Sequence, residues 1–166
     1  MELSKSYDGG MPMTRSVRKA DLPQLDLDRQ VCFPLYAAGR AVTRRYAALL
    51  AEVGLTYPQY LTLLALWESE EPISVGELGQ RLRLDSGTLT PVLKRLEVAG
   101  YVVRRRDNAD ERRVLLDVTD AGWELRRQVA DVPERLLTSM GLPVAKARQL
   151  RGLLDELIES LDAAVD

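Results

Sequence analysis

The sequence predicts a mainly α-helical chain with a small β-hairpin set into it. Apolar residues recur at helical spacing through most of residues 27–161, as in Leu89, Val92, Leu93 and Leu96. The period changes to two only over residues 101–106 and 113–118, where Val114, Leu116 and Val118 share one side. Helix-opening caps and closing glycines separate the segments, so the boundaries follow from side-chain chemistry as well as from period.

Residues 1–20 carry Gly9-Gly10 and Met11-Pro12 without periodicity and read as a mobile tail. From 27 to 53 the apolar set is Val31, Leu35, Val42, Tyr46, Leu49 and Val53. Asp28 is the expected N-cap of that helix, and Gly54 its end. Pro34 is tolerable only near the helix start, where a missing N–H has no intrahelical partner, which places Cys32 in the first turn. Thr56 and Gln59 form a capping box for a helix through Leu61, Leu64 and Trp67, broken at Glu70-Glu71-Pro72. Ser74 and Glu77 form a second box, opening a short helix through Leu78 and Leu82. Asp85-Ser86-Gly87-Thr88 starts a third, with Pro91 in its first turn or at a slight kink and Gly100 closing it. After the hairpin and its polar loop at 107–112, Thr119 caps a long helix expected from about 120 to 140, with a kink at Pro133. Pro143 opens a last helix carrying Leu150, Leu153, Leu154, Leu157, Ile158 and Leu161.

Composition limits the function. The 166 residues are 46% hydrophobic and 29% charged, with a formal net charge of -2, which fits one soluble domain and no bulk polycation. The charge is uneven: residues 81–113 hold nine Lys/Arg against five Asp/Glu, and residues 120–166 hold six against nine. A basic middle between acidic flanks suggests one face aimed at a polyanion. There is no His and one Cys, so no internal disulfide can form and no metal site or cofactor is expected. No apolar run reaches membrane-spanning length, and a cytoplasmic protein is expected.

Short helix, tight turn, helix and hairpin follow the order of a winged helix-turn-helix. Its recognition helix leaves Ser86, Thr88, Thr90, Lys94 and Arg95 outside, with small hydroxyls and a helix N-terminus suited to phosphate. The hairpin carries Arg104, Arg105, Arg106, Arg112 and Arg113, and guanidinium groups on a narrow ribbon suit a minor groove. Solvated surfaces also carry arginine, and such units also serve as protein adaptors. The ordered series of caps, turn, apolar face and basic wing favours double-stranded DNA.

Asp110-Glu111-Arg112, followed by Val114-Leu115-Leu116-Asp117-Val118-Thr119 and Gly122, resembles the wing signature of the MarR family of transcription regulators. The resemblance covers residues 27–163. It implies that Arg112 enters the minor groove and that Asp110 orients it. It also implies a helical dimerisation stem from residues 21–54 and 120–163 around a DNA reader at 55–119. Cys32-Phe33-Pro34-Leu35-Tyr36, Tyr46 and Leu55-Thr56-Tyr57-Pro58-Gln59-Tyr60-Leu61 resemble the organic hydroperoxide resistance regulators (OhrR) within that family. In those, the resemblance implies, a cysteine is oxidised by organic hydroperoxides and the repressor leaves DNA. Cys32 takes the sensor role and Tyr36, Tyr46 and Tyr57 the surrounding pocket.

A single Cys on an amphipathic helix is usually a small buried hydrophobe, and tyrosines at helical spacing are usually core. A sensor needs thiolate, which a helix N-terminus favours, and Tyr36 one turn on can donate to sulfur. Tyr46 shares that face but stands about 21 Å along the axis, so it can serve Cys32 only from a second chain running antiparallel. The implied partners are an inverted-repeat DNA, a second copy, an organic hydroperoxide and, lacking a second cysteine, a small cellular thiol forming a mixed disulfide. The alternatives are a MarR-type repressor gated by a phenolic or aromatic acid, with Cys32 inert, and a thiol peroxidase, which the missing His and resolving Cys disfavour.

Overall fold

The computed structural model describes residues 22–110 and 112–164, and the N-terminal tail lies outside them. The chain divides into two units, Met1–Arg40 and Ala41–Asp166.

In the first unit, one-turn 3-10 helices occupy Pro23–Leu25 and Leu27–Arg29, and α1 (Cys32–Leu49) begins here. The expected cap at Asp28 is therefore corrected: Asp28 lies in the 3-10 turn, and Gln30 is extended at ψ 120. A helix begun at Asp28 would require an N–H at residue 34 to bond the Gln30 carbonyl, and Pro34 has none. Starting at Cys32 puts Pro34 in the first turn, where that donor is not needed. Leu25, Leu27, Val31, Phe33 and Leu35 are all exposed.

The second unit continues α1 and closes it through a 3-10 turn, Ala51–Val53, with Gly54 left-handed at φ 66. Then follow α2 (Tyr57–Trp67), β1 (Ile73–Ser74), α3 (Val75–Leu82), α4 (Ser86–Val98), β2 (Val102–Arg106), β3 (Val114–Val118), α5 (Asp120–Gln128), α6 (Val132–Met140) and α7 (Val144–Ala163). The capping residues are those the sequence predicts. The Gln59 amide oxygen accepts from the Thr56 N–H at 2.7 Å, and Ser74 exchanges bonds with Glu77 at 2.7 and 3.2 Å.

The hairpin is present, and a third strand joins it. The sheet order is β1-β3-β2, antiparallel throughout, with Ile73 opposite Leu116 and Arg104 opposite Leu116 on the other side. β1 is two residues long, too short to show alternation in sequence. The expected single helix over 120–140 is two helices, broken at residues 129–131. Pro133, at the start of α6, cannot donate to the Val129 carbonyl, so one helix cannot run through. Pro91 sits beyond the first turn, inside α4, and leaves the Gly87 carbonyl without its helical donor.

The core lies between α2, α3, α4, the sheet and α5. Leu50, Tyr60, Leu63, Leu78, Leu89, Leu93, Leu96 and Leu116 are at most 1% exposed. Each leucine buried this far contributes about 1.5–3 kcal/mol. Among the described residues, no helix is long and apolar enough to cross a membrane.

One joint sets the angle between wing and helices. Thr119 accepts the Gly122 N–H at 3.1 Å as N-cap of α5, and its hydroxyl donates to the Gly100 carbonyl. The Thr119 N–H bonds the Tyr101 carbonyl, and the Trp67 indole donates to the Gly122 carbonyl at 3.1 Å. A Cβ at Gly122 would stand 2.3 Å from the Tyr101 carbonyl oxygen and 2.7 Å from Val118 Cγ1. Both neighbours are tightly held, so Gly122→Ala is expected to destabilise the fold by about 1–3 kcal/mol. Urea unfolding of wild type and variant measures this; an unchanged midpoint would mean that the joint yields.

Candidate nucleic-acid interface and thiol site

α4 presents its outer face because its inner face is committed. Leu89, Leu93 and Leu96 are buried, which leaves Ser86, Thr90, Lys94 and Arg95 exposed. Asp85 caps the helix. Its carboxylate accepts the Thr88 N–H at 2.9 Å and the Thr88 hydroxyl at 2.8 Å, and these bonds hold the Asp85 carboxyl below the usual carboxylate range. The Thr90 hydroxyl donates to the Ser86 carbonyl at 2.6 Å. Both threonine protons are used within the helix, so outward these hydroxyls offer lone pairs and methyl groups.

The wing arginines separate into two sets. Arg112 stands out with its side chain 92% exposed, and Asp110 accepts from its backbone N–H at 3.0 Å and its Nε at 3.3 Å. Arg105 and Arg106 are also exposed. Arg104 and Arg113 depart from the reading that placed them with the outward arginines. Arg104 donates from Nε at 2.9 Å and from Nη2 to the same oxygen, Oε2, of Glu97 on α4, which holds the Glu97 carboxyl below its usual range. Arg113 donates to Glu77 at 3.1 Å and lies 3.8 Å from Asp107. No local signal marks these pairs in the sequence, since Glu97 stands seven residues from Arg104 and Glu77 thirty-six from Arg113. Glu111 lies outside the described residues.

Cys32 is exposed as the first residue of α1, with Sγ 4.0 Å from Gln30 Oε1. The Tyr36 hydroxyl accepts from Arg40 Nη1 at 2.8 Å, and that guanidinium lies 5.6 Å from the Tyr36 ring centroid. The Tyr36 hydroxyl is thus engaged by Arg40 and keeps its own proton to donate. Arg40 was not picked out in the sequence, although it stands one turn from Tyr36.

In the second unit, Tyr46 and Tyr57 do come together, stacked at 4.1 Å and 11°. A residue the sequence reading passed over completes the group: Tyr60, three positions after Tyr57, lies 5.6 Å from Tyr46. Burial first, then the neighbouring Tyr57 and Tyr60, push the Tyr46 phenol up to about 12. Burial also raises Tyr57 and Tyr60. All three remain protonated at neutral pH, so each phenol has a proton to donate and none serves as a base.

Helix, turn, helix and arginine-bearing wing define a winged helix-turn-helix DNA-binding regulator. Residues 44–129 match the family model described as transcriptional regulator SarA/Rot. The chain is 51% identical to the HTH-type transcriptional regulator TtmR of Methylorubrum extorquens over 86% of this chain and 70% of that protein. It is 43% identical to the organic hydroperoxide resistance transcriptional regulator of Bacillus subtilis over 82% of this chain and 92% of that one. The solved structure of reduced AbfR bound to DNA, a protein of Staphylococcus epidermidis, superposes with a TM-score of 0.74 at 34% identity, covering 89% of this chain and 100% of that one. The chain belongs to the MarR family of transcription regulators, in its OhrR-type branch.

The tyrosine stack carries a pH signature. The folded chain keeps the Tyr46 proton to about 12, whereas the unfolded chain releases it near 10. Between those values the native state binds more protons, so the stabilisation present below about 10 is lost as pH rises towards 12. Denaturant midpoints of wild type are expected to fall across that window. Tyr46→Phe is expected to flatten the fall; an equal slope in both proteins would place the stack in water.

Proposed function

We propose that this DNA-binding regulator is a homodimeric repressor that reads an inverted repeat and leaves it when Cys32 is oxidised by an organic hydroperoxide. The observation that carries this reading is the position of Cys32, exposed at the start of α1. A helix N-terminus favours the thiolate that reacts with peroxides. The 43% identity to a regulator of organic hydroperoxide resistance supports the same reading.

The dimer is proposed from the terminal helices, residues 21–54 and 120–163, with the reader at 55–119. Val31 just before α1, Phe33 and Leu35 on α1, and Leu150, Leu153 and Leu161 on α7 are exposed in the single chain, and a second copy would cover them. The two recognition helices would then enter successive major grooves roughly 34 Å apart. Ser86, Thr88, Thr90, Lys94 and Arg95 would face the major groove and its phosphates. Arg105 and Arg112, the latter steadied by Asp110, would enter the minor groove.

The Cys32 thiolate attacks the peroxide oxygen, the O–O bond breaks, and with one proton an alcohol leaves and sulfenic acid remains. A small cellular thiol then displaces water to give a mixed disulfide, since the chain holds no second cysteine. Tyr36, with Tyr46 and Tyr57 from the second copy, would donate to the thiolate. The new group in a tyrosine-lined pocket shifts the stem and changes the spacing of the readers. Gating by a phenolic or aromatic acid has less support, because the similar protein named for organic hydroperoxide resistance matches 82% of this chain at 43% identity.

The decisive measurement is DNA release on treatment with cumene hydroperoxide plus a small thiol, with intact mass read in parallel. Wild type is expected to gain the thiol adduct and dissociate, while Cys32→Ser stays bound and unmodified. Release of Cys32→Ser at the wild-type dose would remove the sensor reading. Arg112→Ala is expected to weaken DNA binding by at least roughly tenfold without changing the oxidation rate of Cys32. Gel shifts and thiol labelling check the two halves separately; wild-type affinity in this variant would take Arg112 out of the interface.

A further inference from the structure

The carboxylate of Glu77 does two jobs with two oxygens. Oε2 accepts the Ser74 N–H at 2.7 Å, and the Ser74 hydroxyl accepts the Glu77 N–H at 3.2 Å, which closes the N-terminus of α3. Oε1 accepts from Arg113 Nη2 at 3.1 Å. Since the oxygens differ, neither bond displaces the other. Arg113 immediately precedes β3 and closes the wing loop. Its carbonyl accepts from the Asp107 N–H at 3.0 Å, and its N–H donates to the Asp110 carbonyl at 2.9 Å. The Ser74 bonds first, and the Arg113 charge after them, hold the Glu77 carboxyl below its usual range, so it is anionic at neutral pH.

We propose that Glu77 is a positioning residue of the DNA reader, holding Arg113 at the root of the wing so that the wing keeps a fixed seat on α3 and Arg113 stays off the DNA backbone. The inference rests on the DNA-binding reading and adds to it a source of sequence discrimination. Stability does not explain the pair. The two side chains are 46% and 52% exposed, a setting in which ion pairs contribute little. Affinity does not explain it either. The cleft between recognition helix and wing, about 430 Å³ and lined by Thr90, Arg104, Arg112 and Arg113, faces a polyanion when DNA is bound, and an adjacent carboxylate opposes that binding. The cap accounts for the carboxylate itself; its pairing with Arg113, which adds little stability and opposes affinity, is accounted for by geometry. It removes one arginine from indiscriminate phosphate contact and fixes the ribbon that carries Arg112.

The test uses full-length protein and Glu77→Gln. Glutamine also serves at this capping position, so the cap is retained while the charge is lost. Affinities are measured over a range of salt for the duplex that wild type enriches from a randomised pool and for a shuffled duplex of equal length. In Glu77→Gln the ratio of the two affinities is expected to fall roughly fivefold, mainly through tighter binding to the shuffled duplex. The log–log salt slope on that duplex is expected to steepen by about one, as a freed cation meets a phosphate. Arg113→Gln added to Glu77→Gln is expected to remove the extra slope, with the melting temperature nearly constant across the set. An unchanged ratio and slope overturns the proposal. Parallel weakening on both duplexes with a lower melting temperature also overturns it, because Glu77 then only caps α3. If wild type enriches no duplex, the DNA-binding reading fails first, and this inference with it.

Discussion

The close approach at Gly122 is the constraint on which the reader depends. Four segments meet there: the end of α2 through the Trp67 indole, the end of α4 through the Gly100 carbonyl, the start of β2 through Tyr101, and the cap of α5 through Thr119. Every link is a directed hydrogen bond, and the backbone at 122 comes so near Tyr101 that no side chain fits. A hydrophobic core tolerates sliding of its elements; four directed bonds around a bare backbone do not. The recognition helix and the wing therefore move with α5 as one body, and a groove-reading surface needs that rigidity to hold side chains in register with base edges.

On that frame, the proposed reading has charge arranged for discrimination more than for attraction. Five arginines lie on or beside the two wing strands, yet Glu97 holds Arg104 and Glu77 holds Arg113. Arg112 keeps an exposed guanidinium, and its partner Asp110 binds it locally and steers it. The molecule has a net charge of -2, so its long-range attraction for a polyanion is weak and its binding has to come from local fit. A reader that binds through every arginine binds everywhere; one that pins two of them leaves the sequence-reading contacts a larger share.

Features governed by nearest neighbours were legible in the sequence. Capping boxes at Thr56 and Ser74, the cap at Asp85 and the closing glycine at 54 are set by bonds spanning three or four residues, and all are where the residue types put them. Features that depend on a distant partner were not. β1 exists because Ile73 finds Leu116, and two residues carry no period of their own. The break between α5 and α6 was read as a kink because Pro133 shows where a donor is missing but not how the chain responds. Asp28 looked like a cap until the donor missing at Pro34 is counted against a helix begun that early. At the site, Cys32 was legible as a first-turn residue and the Tyr46–Tyr57 pair came only through resemblance. Tyr60, Arg40, Glu77 and Glu97 were missed because their roles arise from partners that only the folded chain brings near.

The proposed sensor role of the thiol accounts for control of a large surface by a small change. On the proposed reading, Cys32 is flanked by Val31, Phe33 and Leu35, apolar groups exposed in one chain and covered by a second. The phenols of Tyr36, Tyr46 and Tyr57 can donate to a thiolate there, but each carries a single donated proton, and they leave the added polar groups of the mixed disulfide without partners. Burying a polar group without partners costs about 2–7 kcal/mol, and couplings between sites typically amount to ~1–3 kcal/mol. One unsatisfied polar addition at that interface is therefore enough to favour the arrangement that exposes it. Because Gly122 ties the recognition helix and wing to α5, a displacement of α5 would reach both DNA-facing elements together.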